Sequence, residues 1–247
     1  MRADTPVLQS WLIVAVLVLI PVPGAHAQNK AETDSGCSPS QFTHETLDEA
    51  KIFSHGLKSV PRNLFRPSNL KWELPIVAAT GILIAEADIP AANRIQSADL
   101  QQVAGRWSNV GLGMEISSGA LTYAIGCRSH ERHIRDTGFD GLAAMAAAGT
   151  LDLGLKLAFD RQFPYSPNST GAFWGGGRSF PSGHSATSFA WAAATAHRTH
   201  NKWVKIAAYG LASGVALSRY PAKKHFPSDI LMGATIGYVT GTYLGER

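Results

Sequence analysis

The sequence predicts an all-α protein with a six-helix core, on three observations. From Trp72 onward, six apolar segments recur at helical length, over residues 74–85, 110–125, 141–159, 185–197, 203–218 and 230–244. Each is too long, and too poor in alternating β-branched residues, to be a strand. Ala, Gly and Ser are dense within them, which lets helix backbones approach closely. The chain of 247 residues, 45% hydrophobic and 16% charged, is long enough for one globular domain with a sizeable core.

Taken in order, residues 1–27 read as a secretory signal peptide. Arg2 precedes the apolar run 11–20, Pro21, Pro23 and Gly24 break it, and Ala25-His26-Ala27 is a small-x-small cleavage site. The run is short for a retained membrane anchor, which needs about twenty apolar residues. The expected mature chain starts at Gln28 and is exported, to the periplasm or beyond. Residues 28–71 form a polar leader and surface connection, with a short helix expected over 47–57 and extended chain around Pro61 and Pro67. Cys37 and Cys127 are the two cysteines. An oxidising compartment would allow them to pair, whereas a mobile leader would leave Cys37 apart, and both readings stay open.

Residues 72–247 form the helical domain, with loops expected near Pro90, over 128–137 and 164–177, and near Pro221. The segment 74–85 is shorter than a membrane span, and Glu115, Asp152, Lys156 and Lys205 interrupt the others. Mean hydropathy is −0.02. A soluble or peripheral domain is the favoured expectation, with membrane association left open. The net charge of +4 comes from scattered basic residues, which argues against nucleic acid and allows attraction of an anionic substrate. Oligomeric state is not legible.

The chemistry is concentrated in Phe180-Pro181-Ser182-Gly183-His184 and, two helical segments later, in Ser218-Arg219 and His225-Phe226-Pro227-Ser228-Asp229. Ser182 is a good N-cap, so the amides of Gly183 and His184 would face an anion. The helices on either side of the turn at 199–202, about 22 and 24 Å long, form an antiparallel pair. The chain thus returns to its starting end, which places Arg219 and the loop to His225 beside Ser182. Pro227 suits the first turn of the last helix, so His225 and Asp229 flank its start. Lys156, at the end of its own helix, reaches the same place. Two histidines, an arginine, an aspartate and a Ser-Gly turn are what phosphoryl transfer through a phosphohistidine needs. Singly, these are ordinary helix-start turns and helix pairs; in this combination coincidence is a poor account.

Lys156 with Pro164, Pro181-Ser182-Gly183-His184, and Ser218-Arg219-x5-His225-x3-Asp229 together resemble the three-part signature of the type 2 phosphatidic acid phosphatase superfamily, which includes bacterial acid phosphatases and vanadium haloperoxidases. The second and third parts match in full, and the six helical segments fit the family's six-helix core; residues before Trp72 are not covered. By matching position, the resemblance implies that His225 is the nucleophile, with Asp229 orienting its ring and raising its basicity. His184 would be the general acid, and Lys156, Ser182, Gly183 and Arg219 would bind the phosphate oxygens, with no metal required. The first part departs from the pattern. Where the family has an arginine that helps hold phosphate, this chain has Phe163, and Arg161 or Arg178 would have to supply the charge.

The expected function is an exported, metal-independent phosphatase acting on a lipid phosphate, a lipid pyrophosphate or a small soluble ester. Two alternatives stand beside it. A haloperoxidase would hold vanadate as cofactor in the same pocket, although the chain is short for one. A non-catalytic phosphate- or lipid-head-group-binding protein would account for Phe163. His44, His55, His130, His133, His197 and His200 form no metal-ligand cluster and read as surface residues. Trp174 with the glycines at 175–177 reads as a mobile lip or as a plain glycine loop, and Lys223 and Lys224 as solvated lysines or as a lure for anions.

Overall fold

The computed structural model describes residues 67–245, together with positions 37, 43, 44, 46, 47 and 51. The expected signal peptide and most of the leader, including the greater part of the helix expected over 47–57, lie outside the described residues. Among the described residues all regular structure is helical. The elements are α1 (Pro67–Ile82), a π-helical turn (Leu83–Ala87), α2 (Asp88–Arg94), α3 (Ala98–Ser129), α4 (Arg132–Phe159), α5 (Gly183–Arg198), α6 (Lys202–Ser218) and α7 (Pro227–Gly245). With α1, the turn and α2 counted as one interrupted rod, these are the six expected helices.

Several boundaries differ from expectation. Helix α1 begins at Pro67, where extended chain was expected, because proline is tolerated in a helix's first turn. Helix α3 starts at Ala98 because Ser97 caps it, accepting a bond from the Leu100 amide at 3.2 Å, with Asp99 in the first turn. The loop expected over 128–137 is mostly helix. Only His130, left-handed at φ 59°, and Glu131 separate α3 from α4. The polar, charged composition that suggested a loop belongs to two exposed helix ends. Pro90 likewise lies within the first turn of α2, where a missing amide costs nothing.

Helix α5 is the centre of the bundle and packs against α4, α6 and α7. Ala186, Ala190, Ala192, Ala193 and Ala194 on it are fully buried. Its partner α7 carries Gly233, Gly237 and Gly241 at four-residue spacing. A Cβ at these positions would overlap the carbonyl oxygens of Ser182, Ala186 and Ala190 in turn. The two backbones therefore run in contact, and the start of α7 is held against the start of α5.

Glu115 and Asp152, which argued against lipid contact, turn into the bundle. Glu115 accepts a bond from Ser188 at 2.6 Å, and Asp152 lies 3.4 Å from Lys156. The outer surface is left apolar: Val77, Ile82, Trp107, Trp203, Ile206 and Leu217 are all more than half exposed. The stretches Leu74–Arg94 and Arg132–Phe159 are long and apolar enough to cross a membrane by length and composition. Cys37 and Cys127 form a disulfide, with Cα atoms 5.5 Å apart. It lies near the C-terminal end of α3, which is also where α4 begins.

Candidate active site

The site lies where α4 ends and α5 and α7 begin. The predicted cap is present: Ser182 has extended backbone, and its hydroxyl oxygen accepts bonds from the Ser185 amide at 3.5 Å and the Ser185 hydroxyl at 3.0 Å. Its own proton is left to donate. The Ser182 amide donates to the Asp229 carbonyl at 2.9 Å, which ties the two helix starts directly. Gly183 is required by packing as well as by any anion, because a Cβ there would come 2.7 Å from Asp152 Oδ2.

His225 is buried in the loop before α7. Its Nδ1 is 2.8 Å from the Ser179 carbonyl oxygen, an acceptor, so Nδ1 carries the proton and the Nε2 lone pair is free. Asp229 Oδ2 is 3.6 Å from Nδ1, an ion-pair distance rather than a hydrogen bond, and accepts from the Phe226 amide at 2.9 Å. The predicted orienting role of Asp229 is thus shared with a backbone carbonyl. Burial lowers the His225 pKa; Asp229 opposes that, and Lys156 and Arg219 add to it.

The cations converge on the same place. Lys156 hydrogen-bonds the Pro181 carbonyl. Arg219 donates from Nη1 to Ser108 at 2.7 Å, leaving its Nε buried without a protein partner, and burial lowers its pKa to about 10. His184 Nε2 lies 3.0 Å from Asn109 Oδ1. Burial, followed by the charges of Arg219, His225 and Lys156, brings the His184 pKa down to about 3. Four of the predicted residues, Lys156, His184, Arg219 and His225, are therefore within electrostatic reach of one another, and with no anion bound both rings are neutral near pH 7.

The place of the missing arginine is filled by an aromatic pair. Phe163 stacks on Tyr165 with centroids 5.0 Å apart and lies 6.2 Å from the His225 ring, while Lys224 sits 4.6 Å over Tyr165. Arg178 is exposed, with its amide bonded to the Arg161 carbonyl. Arg161 is buried and bonded to Asp88, Ser228 and Asp229. Both arginines are close to the site, and Arg161 stands behind it.

Ser108 and Asn109 were missed in the sequence because they sit on α3, outside every motif. Asp88 was missed for the same reason. The loop of Trp174 is anchored rather than hanging free, since its indole donates to the Ala158 carbonyl at 3.0 Å. His44, His130, His133, His197 and His200 are exposed, and His55 lies outside the described residues. Among the described residues no three His, Cys, Asp or Glu side chains are grouped to hold a metal ion.

Known proteins resemble this chain in sequence and in fold. Over 104 residues, 41% of this chain, the sequence is 34% identical to the lipid A 1-phosphatase of Porphyromonas gingivalis, of whose length it spans 21%. The fold resembles the crystal structure of a transmembrane PAP2 type phosphatidylglycerolphosphate phosphatase from Bacillus subtilis, with a TM-score of 0.50 and 22% identity over 69% of this chain and 92% of that one. Residues 138–244, which include Lys156, His184, Arg219, His225 and Asp229, match the PAP2 superfamily model.

Proposed function

We propose that the chain is a phosphatase that hydrolyses phosphate monoesters, lipid phosphates above all, through a phosphohistidine on His225 and without a metal. The observation that carries the reading is the His225 imidazole held by the Ser179 carbonyl, with Nε2 free, among Lys156, Arg219 and His184. In the first step the Nε2 lone pair attacks phosphorus, the phosphorus–oxygen ester bond breaks, and the leaving oxygen takes a proton from the His184 imidazolium, which forms when the anionic phosphate enters and offsets the cations that depress its pKa. In the second, His184 takes a proton from water as the water oxygen attacks phosphorus. The phosphorus–nitrogen bond then breaks, releasing phosphate and the neutral ring. Lys156, Arg219, the Gly183 amide and the Ser182 hydroxyl stabilise the charge on the non-bridging oxygens.

Lipid phosphate is favoured over a soluble ester by the apolar outer surface and by the substrates named for both relatives. The same surface supports association of the bundle with a membrane. Export is supported by the disulfide, which persists in an oxidising compartment.

A panel of aryl phosphate, phosphatidate and polyprenyl pyrophosphate, run on wild type and His225→Ala, tests the reading. Turnover in the wild type, inhibition by vanadate and loss of turnover in the variant are expected. Retained turnover in His225→Ala would sink the mechanism. Tight phosphate binding by a wild type inactive on every ester would favour a binding protein.

A further inference from the structure

Building on the phosphohistidine reading above, we propose that Arg161 is the positioning residue of the nucleophile: it acts on His225 through Asp229 on one side and Ser179 on the other, and does not hold phosphate. Arg161 lies two residues beyond the end of α4 and is 1% exposed. Each part of its guanidinium has a partner. Nε donates to the Gly171 carbonyl at 3.0 Å, Nη1 to Ser228 Oγ at 2.8 Å and to Asp229 Oδ1 at 2.5 Å, and Nη2 to Asp88 Oδ2 at 2.7 Å. The plane is enclosed by the rings of Phe226 and Phe173, 4.3 and 4.9 Å from Cζ to the centroids. With these bonds in place, the fork is turned to the back of Asp229.

The backbone of the same residue reaches the other neighbour of His225. The Arg161 carbonyl accepts from the amides of Arg178 at 2.8 Å and Ser179 at 2.9 Å, and Ser179 is the residue whose carbonyl receives Nδ1–H. Both groups facing Nδ1 are thus fixed by one residue. The glycine loop is shaped around it as well: a Cβ on Gly177 would overlap the Arg161 carbonyl, and one on Gly171 would come 3.4 Å from Nη2. Gly177 is thus required by the arginine's backbone.

Two carboxylates, Asp88 and Asp229, share the guanidinium, and both are fully buried. Ser228 joins them, its amide donating to Asp88 Oδ1 at 3.1 Å and its hydroxyl to Asp88 Oδ2. Without the cation, two buried carboxylates would face one another and one would take up a proton. A protonated Asp229 no longer favours the Nδ1–H tautomer of His225, and the ring is free to turn. A lysine carries the charge but has three donors and no planar fork to reach the four acceptors that the guanidinium holds at once.

The test combines kinetics with ¹⁵N spectroscopy of the His225 ring in wild type and Arg161→Lys. In the variant, kcat for an aryl phosphate should fall at least tenfold, with KM and the inhibition constant of inorganic phosphate within twofold of wild type, and the Nδ1–H tautomer should lose population. A tenfold rise in KM and in the phosphate constant at unchanged kcat would overturn the proposal and make Arg161 a phosphate ligand. An unchanged kcat and tautomer would overturn it too. Should the variant fail to fold, wild type alone decides: saturating inorganic phosphate should move the Arg219 Nε–H resonance and leave that of Arg161 in place, and the reverse refutes the assignment. The spectroscopic arms need no turnover, so an inactive wild type would defeat the phosphatase reading while the tautomer and the Arg161 resonance still judged this one.

Discussion

Replacing Asp229 by Asn keeps the size of the side chain and removes one charge from beside His225. At 3.6 Å, and with an effective dielectric constant of about 20, the bare carboxylate–imidazolium attraction is about 4.6 kcal/mol. Arg161 already holds the same carboxylate at 2.5 Å and cancels part of this field. Asp229 raises the His225 pKa, so its loss lowers it further below the ordinary imidazole value of 6.5. With the neutral ring as the proposed nucleophile, activity is lost as pH falls through this pKa. The acid limb of kcat/KM should therefore move to lower pH in Asp229→Asn. At the same time kcat should fall by about 10²-fold, the equivalent of ~2.7 kcal/mol, as the charge that stabilises the phosphorylated ring disappears. A pH series on an aryl phosphate reads both effects. A limb that stays in place or moves to higher pH refutes the electrostatic account, whatever happens to the rate.

Other perturbations follow from the same geometry. Phe163→Arg should lower KM for phosphate esters about tenfold, roughly 1.4 kcal/mol, by restoring a cation beside His225; an unchanged KM would show that the aromatic pair had not displaced a phosphate ligand. Gly237→Ala should destabilise the bundle by about 1–2 kcal/mol, because overlap with the Ala186 carbonyl outweighs the gain in helix propensity, and thermal melting should fall by roughly 2–8 °C. Cys37→Ser should lower the melting temperature as well, through the loss of about 2–4 kcal/mol of cross-linking, while kcat stays within twofold of wild type because the bond lies at the other end of the bundle.

The sequence disclosed the parts of the site that depend on local signals. Ser182 as a cap, Pro227 as the first residue of α7 and the hairpin that returns Arg219 to His184 all follow from neighbours a few residues apart. The groups that hold the catalytic ring do not. Asp88 and Arg161 are 73 residues apart and meet only after folding. Arg219 finds Ser108 across 111 residues, in a helix whose start was placed twelve residues too late because its cap lies outside the apolar run. The acceptor for Nδ1 is the Ser179 carbonyl, a group every residue possesses, so no side chain could announce it. Glu115 and Asp152 weigh less against lipid contact than the sequence suggests, for a related reason. A charge within an apolar run counts against lipid contact only if it points outward, and both point in.

The disulfide also serves as a marker of sidedness. Asn109, beside His184, and Cys127 stand on the same straight element, and the 18 residues between their positions span about 27 Å, close to the hydrocarbon thickness of a bilayer. The end that is oxidised and the end that bears His225 are thus separated by one membrane's depth, with the bare apolar faces between them. In a bundle set across a bilayer, the compartment that oxidises Cys37 and Cys127 is the one the nucleophile does not face. In a bundle kept wholly on one side, both ends meet the same solvent. The redox state of two thiols far from the chemistry therefore bears on which leaflet's phosphates the site can reach.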